Sequence, residues 1–128
     1  MRINHDCVRK CLLYVEENTT PSHPMISGSD LIDHFKEEYS KEDVINTVVI
    51  LRDAGFIKKL LLDDSNYPHR IFDLTWEGRQ YLDDIRDSKA WDMVKNGTFE
   101  LSSMSLDVIK ELAKELLLSW GKNKIGLK

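Results

Sequence analysis

The chain is 128 residues long, 41% apolar and 31% charged, with a formal net charge of −4. That length and balance suit one soluble packed domain with a short appendage and exclude disorder by composition. The acidic balance also excludes the strongly basic domain that would mark a nucleic-acid binder by charge alone.

Two cysteines are too few for a disulfide framework and suit a reducing compartment. No run approaches the roughly 18 apolar residues of a membrane span. The start, Met1 to Lys10, is charged where a secretory signal would turn apolar, so a cytoplasmic protein is expected.

In chain order, Asn4 or Asp6 caps a first helix running through Asn18, with Val8, Cys11, Leu12 and Val15 at helical spacing. Pro21 and Pro24 then impose a loop, and Met25–Ile26 is compatible with a short strand. Ser27 with Asp30 has the form of a capping box for a second, short helix carrying Leu31, Ile32 and Phe35 inward. Ser40 with Asp43 repeats that form. It starts a third helix, in which Val44, Val48 and Leu51 make one apolar stripe and Gly55 supplies the left-handed stop.

From Phe56 the period changes to two. Ile57, Leu60 and Leu62 predict one strand, Asp63 to Pro68 a turn, and Ile71 to Leu74 the returning strand. Thr75 caps a helix with Tyr81, Leu82 and Ile85 inward. Asp87–Ser88 marks a bend or break, followed by a further turn or two around Ala90, Trp91 and Val94. Asn96–Gly97 ends that segment. Ser105 to Trp120 is the most amphipathic stretch, with Ile109, Leu112, Ala113, Leu116, Leu117 and Trp120 on one face.

Three helices, a ribbon and another helix predict an α+β, mainly helical chain. The expected architecture is a winged helix-turn-helix over residues 1–88 with a C-terminal helical extension over 89–128. The junctions Leu51 to Ile57 and Phe72 to Gly78 are similar to those of bacterial winged-helix regulators.

The chain as a whole resembles a family of short bacterial and phage proteins defined as a domain of unknown function. The resemblance is carried by Asn4 to Arg9, Ala54 to Ile57, Leu74 to Gly78, Leu82 to Asp87 leading to Trp91, and Gly97 before the amphipathic tail. It implies a winged-helix fold and a phage or prophage origin, and it brings no activity with it.

In such a fold the third helix would enter the major groove, where reading bases needs amide, guanidinium or ammonium donors. Opposite its apolar stripe lie Glu42, Asn46, Val49, Ile50 and Asp53. Asn46 is placed to read adenine, and Thr47 on the flank to touch a thymine methyl or a phosphate. Lys41, Lys58, Lys59, His69 and Arg70 are the candidate phosphate contacts. Across Ile57 to Thr75, however, Lys58, Lys59 and Arg70 are balanced by Asp63, Asp64 and Asp73. Val49 and Ile50 suit a protein partner better than a groove. With Trp91, Leu112, Leu116 and Trp120 they form the candidate partner surface, including a homodimer through the last helix.

Other chemistry finds no complete set of residues. Cys7 and Cys11, with His5 nearby, lack the second ligand pair of a structural metal site, and Cys11 suits a buried small hydrophobe. The histidines share no ligand spacing. No glycine-rich loop or presented nucleophile occurs, so no enzyme, cofactor or metal is expected. The last helix mixes Lys and Glu on its polar face, which argues against lying on a membrane. Two functions remain: a DNA-binding regulatory protein of phage or prophage type, or a protein-interaction module on the same frame.

Overall fold

Helix α1 (His5–Asn18) starts where Asn4 Oδ1 accepts the Cys7 backbone N–H at 3.1 Å. The computed structural model describes residues 2–59, 68–97 and 101–124, apart from the side chains of Ser102 and residues 120–124. Strand β1 (Met25–Ser27) and helix α2 (Gly28–His34) follow, then helix α3 (Lys41–Asp53). Ser40 Oγ accepts the Asp43 N–H at 3.1 Å, the local bond its sequence predicts. Ser27 behaves differently. It occupies the cap position of α2 without a side-chain cap bond, because it is the last residue of β1 and pairs there with Arg70.

Helix α3 ends at Gly55, whose φ of 75° is the left-handed conformation that glycine adopts without a Cβ clash. Strand β2 (Arg70–Phe72) pairs antiparallel with β1, Ile26 opposite Ile71, and a single bridge joins Ile57 to Leu74. The expected ribbon partner of Ile71–Leu74 was the stretch from Ile57. That pairing is present at its base, where Ile57 bridges Leu74 antiparallel and the Lys58 N–H donates to the Asp73 carbonyl, and β1 adds the ladder to β2 that the sequence did not assign. Leu60, Leu62, Asp63 and Asp64 lie outside the described residues.

Helix α4 (Trp76–Ile85) is capped by Thr75, whose Oγ accepts the Gly78 N–H at 3.1 Å. A Cβ on Gly78 would stand 2.0 Å from the Phe56 carbonyl oxygen, so this turn of α4 approaches the α3 exit closely only because a glycine is there. The chain breaks at Asp87, which caps helix α5 (Ser88–Lys95) through the Ala90 N–H at 2.8 Å. The carbonyls of Ile85 and Arg86 at that break are taken by the Arg9 guanidinium at 2.9 and 2.6 Å. A short 3₁₀ turn (Leu101–Ser103) leads into helix α6 (Leu106–Lys124), which packs on α4 and α5.

The described chain is thus α+β and mainly helical, with a two-stranded antiparallel sheet. One apolar core runs through it. Val8, Cys11, Leu12 and Val15 of α1 join Val44, Val48 and Leu51 of α3, Leu82 and Ile85 of α4, and Trp91, Val94, Ile109 and Ala113 of the last two helices. The residues after 88 therefore share the core of those before. No helix of the described residues is long and apolar enough to cross a membrane.

Polar ties reinforce this arrangement at one end of α1. Asp6 accepts hydrogen bonds from Tyr39 Oη and, at 3.0 Å, from Trp91 Nε1, with Lys95 3.5 Å and Lys10 3.9 Å away. Burial alone would push the Asp6 carboxyl up, but those donors and the two ammonium groups outweigh it and hold the carboxyl below its ordinary value. Its stabilising contribution is therefore complete above the unfolded aspartate pKa of about 4 and is lost as pH falls through the lower folded value. Asp6→Asn is expected to lower stability at pH 7 by about 1–2 kcal/mol and to flatten the loss of stability below about pH 4, both read by urea unfolding across pH.

Candidate nucleic-acid interface

The last turn of α3 is fastened to the sheet. Arg52 Nη2 donates to the Arg70 carbonyl at 2.9 Å, and Gly28 N–H donates to the His69 carbonyl at 3.0 Å. These two bonds fix the start of β2 between α2 and α3. On the other flank of the same strand the Lys58 N–H donates to the Asp73 carbonyl at 3.0 Å. Lys58, Lys59, His69 and Arg70 are all exposed, so the sheet and the α3 exit together carry a group of cationic and imidazole side chains.

Asp73 does not cancel this group. Its Oδ1 accepts from Thr19 Oγ1 at 3.1 Å and from the Leu74 N–H at 2.7 Å, and its Oδ2 pairs with Arg79 at 2.8 Å. The balance seen in sequence between Asp73 and the lysines is therefore resolved locally, by a cation from α4. Asp63 and Asp64, the other two acids in that balance, lie outside the described residues.

The remaining sequence candidates scatter. Lys41 is exposed in the first turn of α3, and Asn46, Val49 and Ile50 are half-buried along that helix. Thr47 is 1% exposed, in the core where α3 packs on α1, so it does not face a groove. Its place three residues after Val44 and four before Leu51 puts it in the apolar stripe, a signal its hydroxyl obscures. Trp91 is likewise core, 2% exposed with its indole N–H on Asp6, because α5 turns its whole apolar face inward. Leu112 and Leu116 are half-buried, and Leu116 packs against the core. The Trp120 side chain lies outside the described residues.

Residues 2–105 match the family described as "Hypothetical protein (DUF2513)". The chain belongs to that family. It is also 32% identical over 119 residues to an uncharacterized protein of Haemophilus influenzae (strain ATCC 51907 / DSM 11121 / KW20 / Rd), covering 91% of this chain and 96% of that protein. No solved structure matches.

The DUF2513 match includes α1 to α5 and the 3₁₀ turn and ends just before α6. It therefore contains all of the cationic group and the residues that position it. Arg52 and Arg79, which seat β2 and withdraw Asp73, went unassigned in the sequence, since their partners lie 18 and 6 residues away and only folding identifies them. For Arg52 the available signal was a cation in the last turn of a helix, where carbonyls collect.

Elsewhere in this DUF2513 chain, a groove of about 550 Å³ between α4 and α6 is lined by Glu77, Asp84, Asp107, Lys110 and Lys114, with the stacked Phe56 and Tyr81 rings also on its wall. It brings together no nucleophile with a base. Among the described residues no group of three or more His, Cys, Asp or Glu side chains is placed to hold a metal. His5 is 3% exposed and bonded through Nε2 to the Met104 carbonyl at 2.9 Å, tying α1 to the segment before α6, and burial lowers its pKa.

Cys7 and Cys11 are unoxidised and fully buried, their sulfurs 3.8 Å apart on successive turns of α1. The hydrogen bond with Cys7, together with burial, pushes the Cys11 thiol well up. Both thiols should resist an aromatic disulfide reagent in native buffer at neutral pH and react fully in denaturant, as counted by absorbance. Rapid labelling of the folded protein would contradict the packing of α1.

Proposed function

We propose that this chain is a winged-helix protein that binds double-stranded DNA and acts as a regulator. The order of elements supports the fold: a helix, a strand, two helices, then strand β2 lying between β1 and Ile57, and a following helix. A helix-turn-helix pair flanked by a small sheet in this way is the frame on which a basic ribbon and the second helix of the pair meet a duplex.

The observation that carries the DNA reading is the seating of β2 by Arg52, with Lys58, Lys59, His69 and Arg70 exposed around it while Arg79 neutralises Asp73. Phosphate oxygens recognise that arrangement without further chemistry. Lys41, at the other end of α3, adds a cation where the preceding turn would cross the backbone. The half-burial of Val49 and Ile50 weakens the competing use of α3 as a protein-binding face.

Four phosphate contacts give an expected slope of log K against log salt of roughly −3 to −4, which is about a hundredfold loss between 50 and 200 mM salt. Fluorescence anisotropy on a pool of random-sequence duplexes measures it. Lys58→Glu with Arg70→Glu should abolish the signal while leaving the circular dichroism spectrum intact. Absent binding, or binding indifferent to salt, refutes the reading.

A second reading concerns α6. Val108 and Leu118 are exposed, and Leu112 lies beside Val108 in a shallow groove flanked by Glu111 and Glu115. Exposed apolar side chains on the outside of a terminal helix suit a homodimer, and two copies would set two DNA contacts at a fixed spacing. Val108→Glu with Leu118→Glu should convert a dimer to a monomer in sedimentation velocity with the melting transition retained. A wild-type chain that sediments as a monomer at high concentration removes this reading.

A further inference from the structure

Within the DNA reading, and resting on it, the outward side of α3 raises a separate question: which part of a duplex does this protein contact? Thr47 is withdrawn into the core. Of the outward positions Glu42, Asn46, Val49, Ile50 and Asp53, Asn46 alone carries an amide, and it is half-buried. Glu42 and Asp53 are exposed carboxylates at the two ends of that surface, where a helix lying in the major groove would pass close to phosphates. Bidentate reading of guanine needs Arg or Lys at such positions, and none is present.

The cations stand instead on and beside the sheet, and the bond from Arg52 to the Arg70 carbonyl ties the last turn of α3 to that strand. We infer that the protein holds double-stranded DNA by its phosphate backbone through the sheet, with little reading of base sequence by α3, and that Arg52 is a positioning residue that sets Arg70 and His69 for this contact. Helix α3 then serves as the support against which β2 is braced. This replaces the base-reading roles that spacing alone gave to Asn46 and Thr47. A backbone-held duplex predicts discrimination between sequences far below the thousandfold or more typical of specific regulators.

The experiment compares wild type, Asn46→Ala, Arg70→Ala, Arg52→Ala and Arg52→Gln. The full chain is used, with duplexes enriched from a random pool set against the unenriched pool, across a salt series. Expected are an enriched-to-random affinity ratio below about tenfold and no change for Asn46→Ala beyond about twofold. Arg70→Ala should reduce the salt slope by about 1. Arg52→Ala should weaken binding to every duplex about tenfold at unchanged slope, the mark of a residue that positions a contact without making it.

Arg52→Gln keeps a donor for the Arg70 carbonyl and should recover most of the affinity. It also serves as the test if Arg52→Ala fails to fold. A ratio above a thousandfold that collapses in Asn46→Ala would overturn the inference and leave DNA binding standing. A slope reduced by Arg52→Ala as much as by Arg70→Ala would make Arg52 a phosphate contact and overturn its positioning role. Failure of wild type to bind any duplex would overturn both.

Discussion

A single carboxylate holds the two ends of this architecture together. Asp6 sits in the first turn of α1, where the helix N-terminus already favours negative charge, and accepts from Tyr39 in the turn before α3 and from Trp91 in α5. Removing a carboxylate from most of its water is costly unless donors replace that water. Here a phenol, an indole and two ammonium groups do so, and together they hold the carboxyl below its ordinary value. The consequence is geometric. Tyr39 sets where α3 begins, and Trp91 sets how α5 lies against α1. The helix that braces the sheet and helix α5 are thus referenced to one atom group.

A second set of ties runs from Arg9 and Glu16 of α1 to the corner between α4 and α5. Arg9 takes the carbonyls exposed where α4 stops, and Arg86 makes a paired bond to Glu16, both distances 2.6 Å. Such a planar, two-point pairing restricts orientation more than a lysine could. Along α1 the apolar stripe supplies the packing and the polar groups supply register. The break between α4 and α5, which would otherwise leave orphan carbonyls, becomes a fixed corner, and α6 can pack on both helices beside it.

What the sequence made legible follows from distance along the chain. The caps at Ser40 and Thr75 each join a side chain to a backbone N–H three residues on, so the pattern and the contact are the same local fact. Gly55 is legible for a similar reason, since a stop after an apolar stripe demands its backbone conformation. The β1–β2 ladder was not legible as a pairing. Met25–Ile26 had the character of a strand, but nothing local states that its partner lies beyond α3. Trp91 failed for a different cause. On a helix of eight residues one apolar face serves a core or a partner equally well, and only packing on α6, with Asp6 and Arg9 of α1 against Trp91, decides between them. Thr47 shows the converse error: a hydroxyl drew attention outward, although its spacing from Val44 and Leu51 placed it within.

The candidate interface is only half visible in the sequence because formal charge sums along the chain and takes no account of proximity in space. A formal charge of −4 argues against nucleic acid as a whole-molecule statement. Asp6, Glu16, Asp73 and Asp83, however, are each paired with cations of the same chain. The Debye length at physiological salt is about 8 Å. Acids elsewhere on the surface, beyond about that distance, barely register at a phosphate seated beside Lys58 or Arg70, whereas those cations act at full strength. On the proposed reading, what a duplex would meet is therefore set by which carboxylates have found internal partners. Arg79 would be as much a part of the proposed interface as Arg70, although it lies on α4, because without it Asp73 would return a negative charge to the strand that the lysines flank.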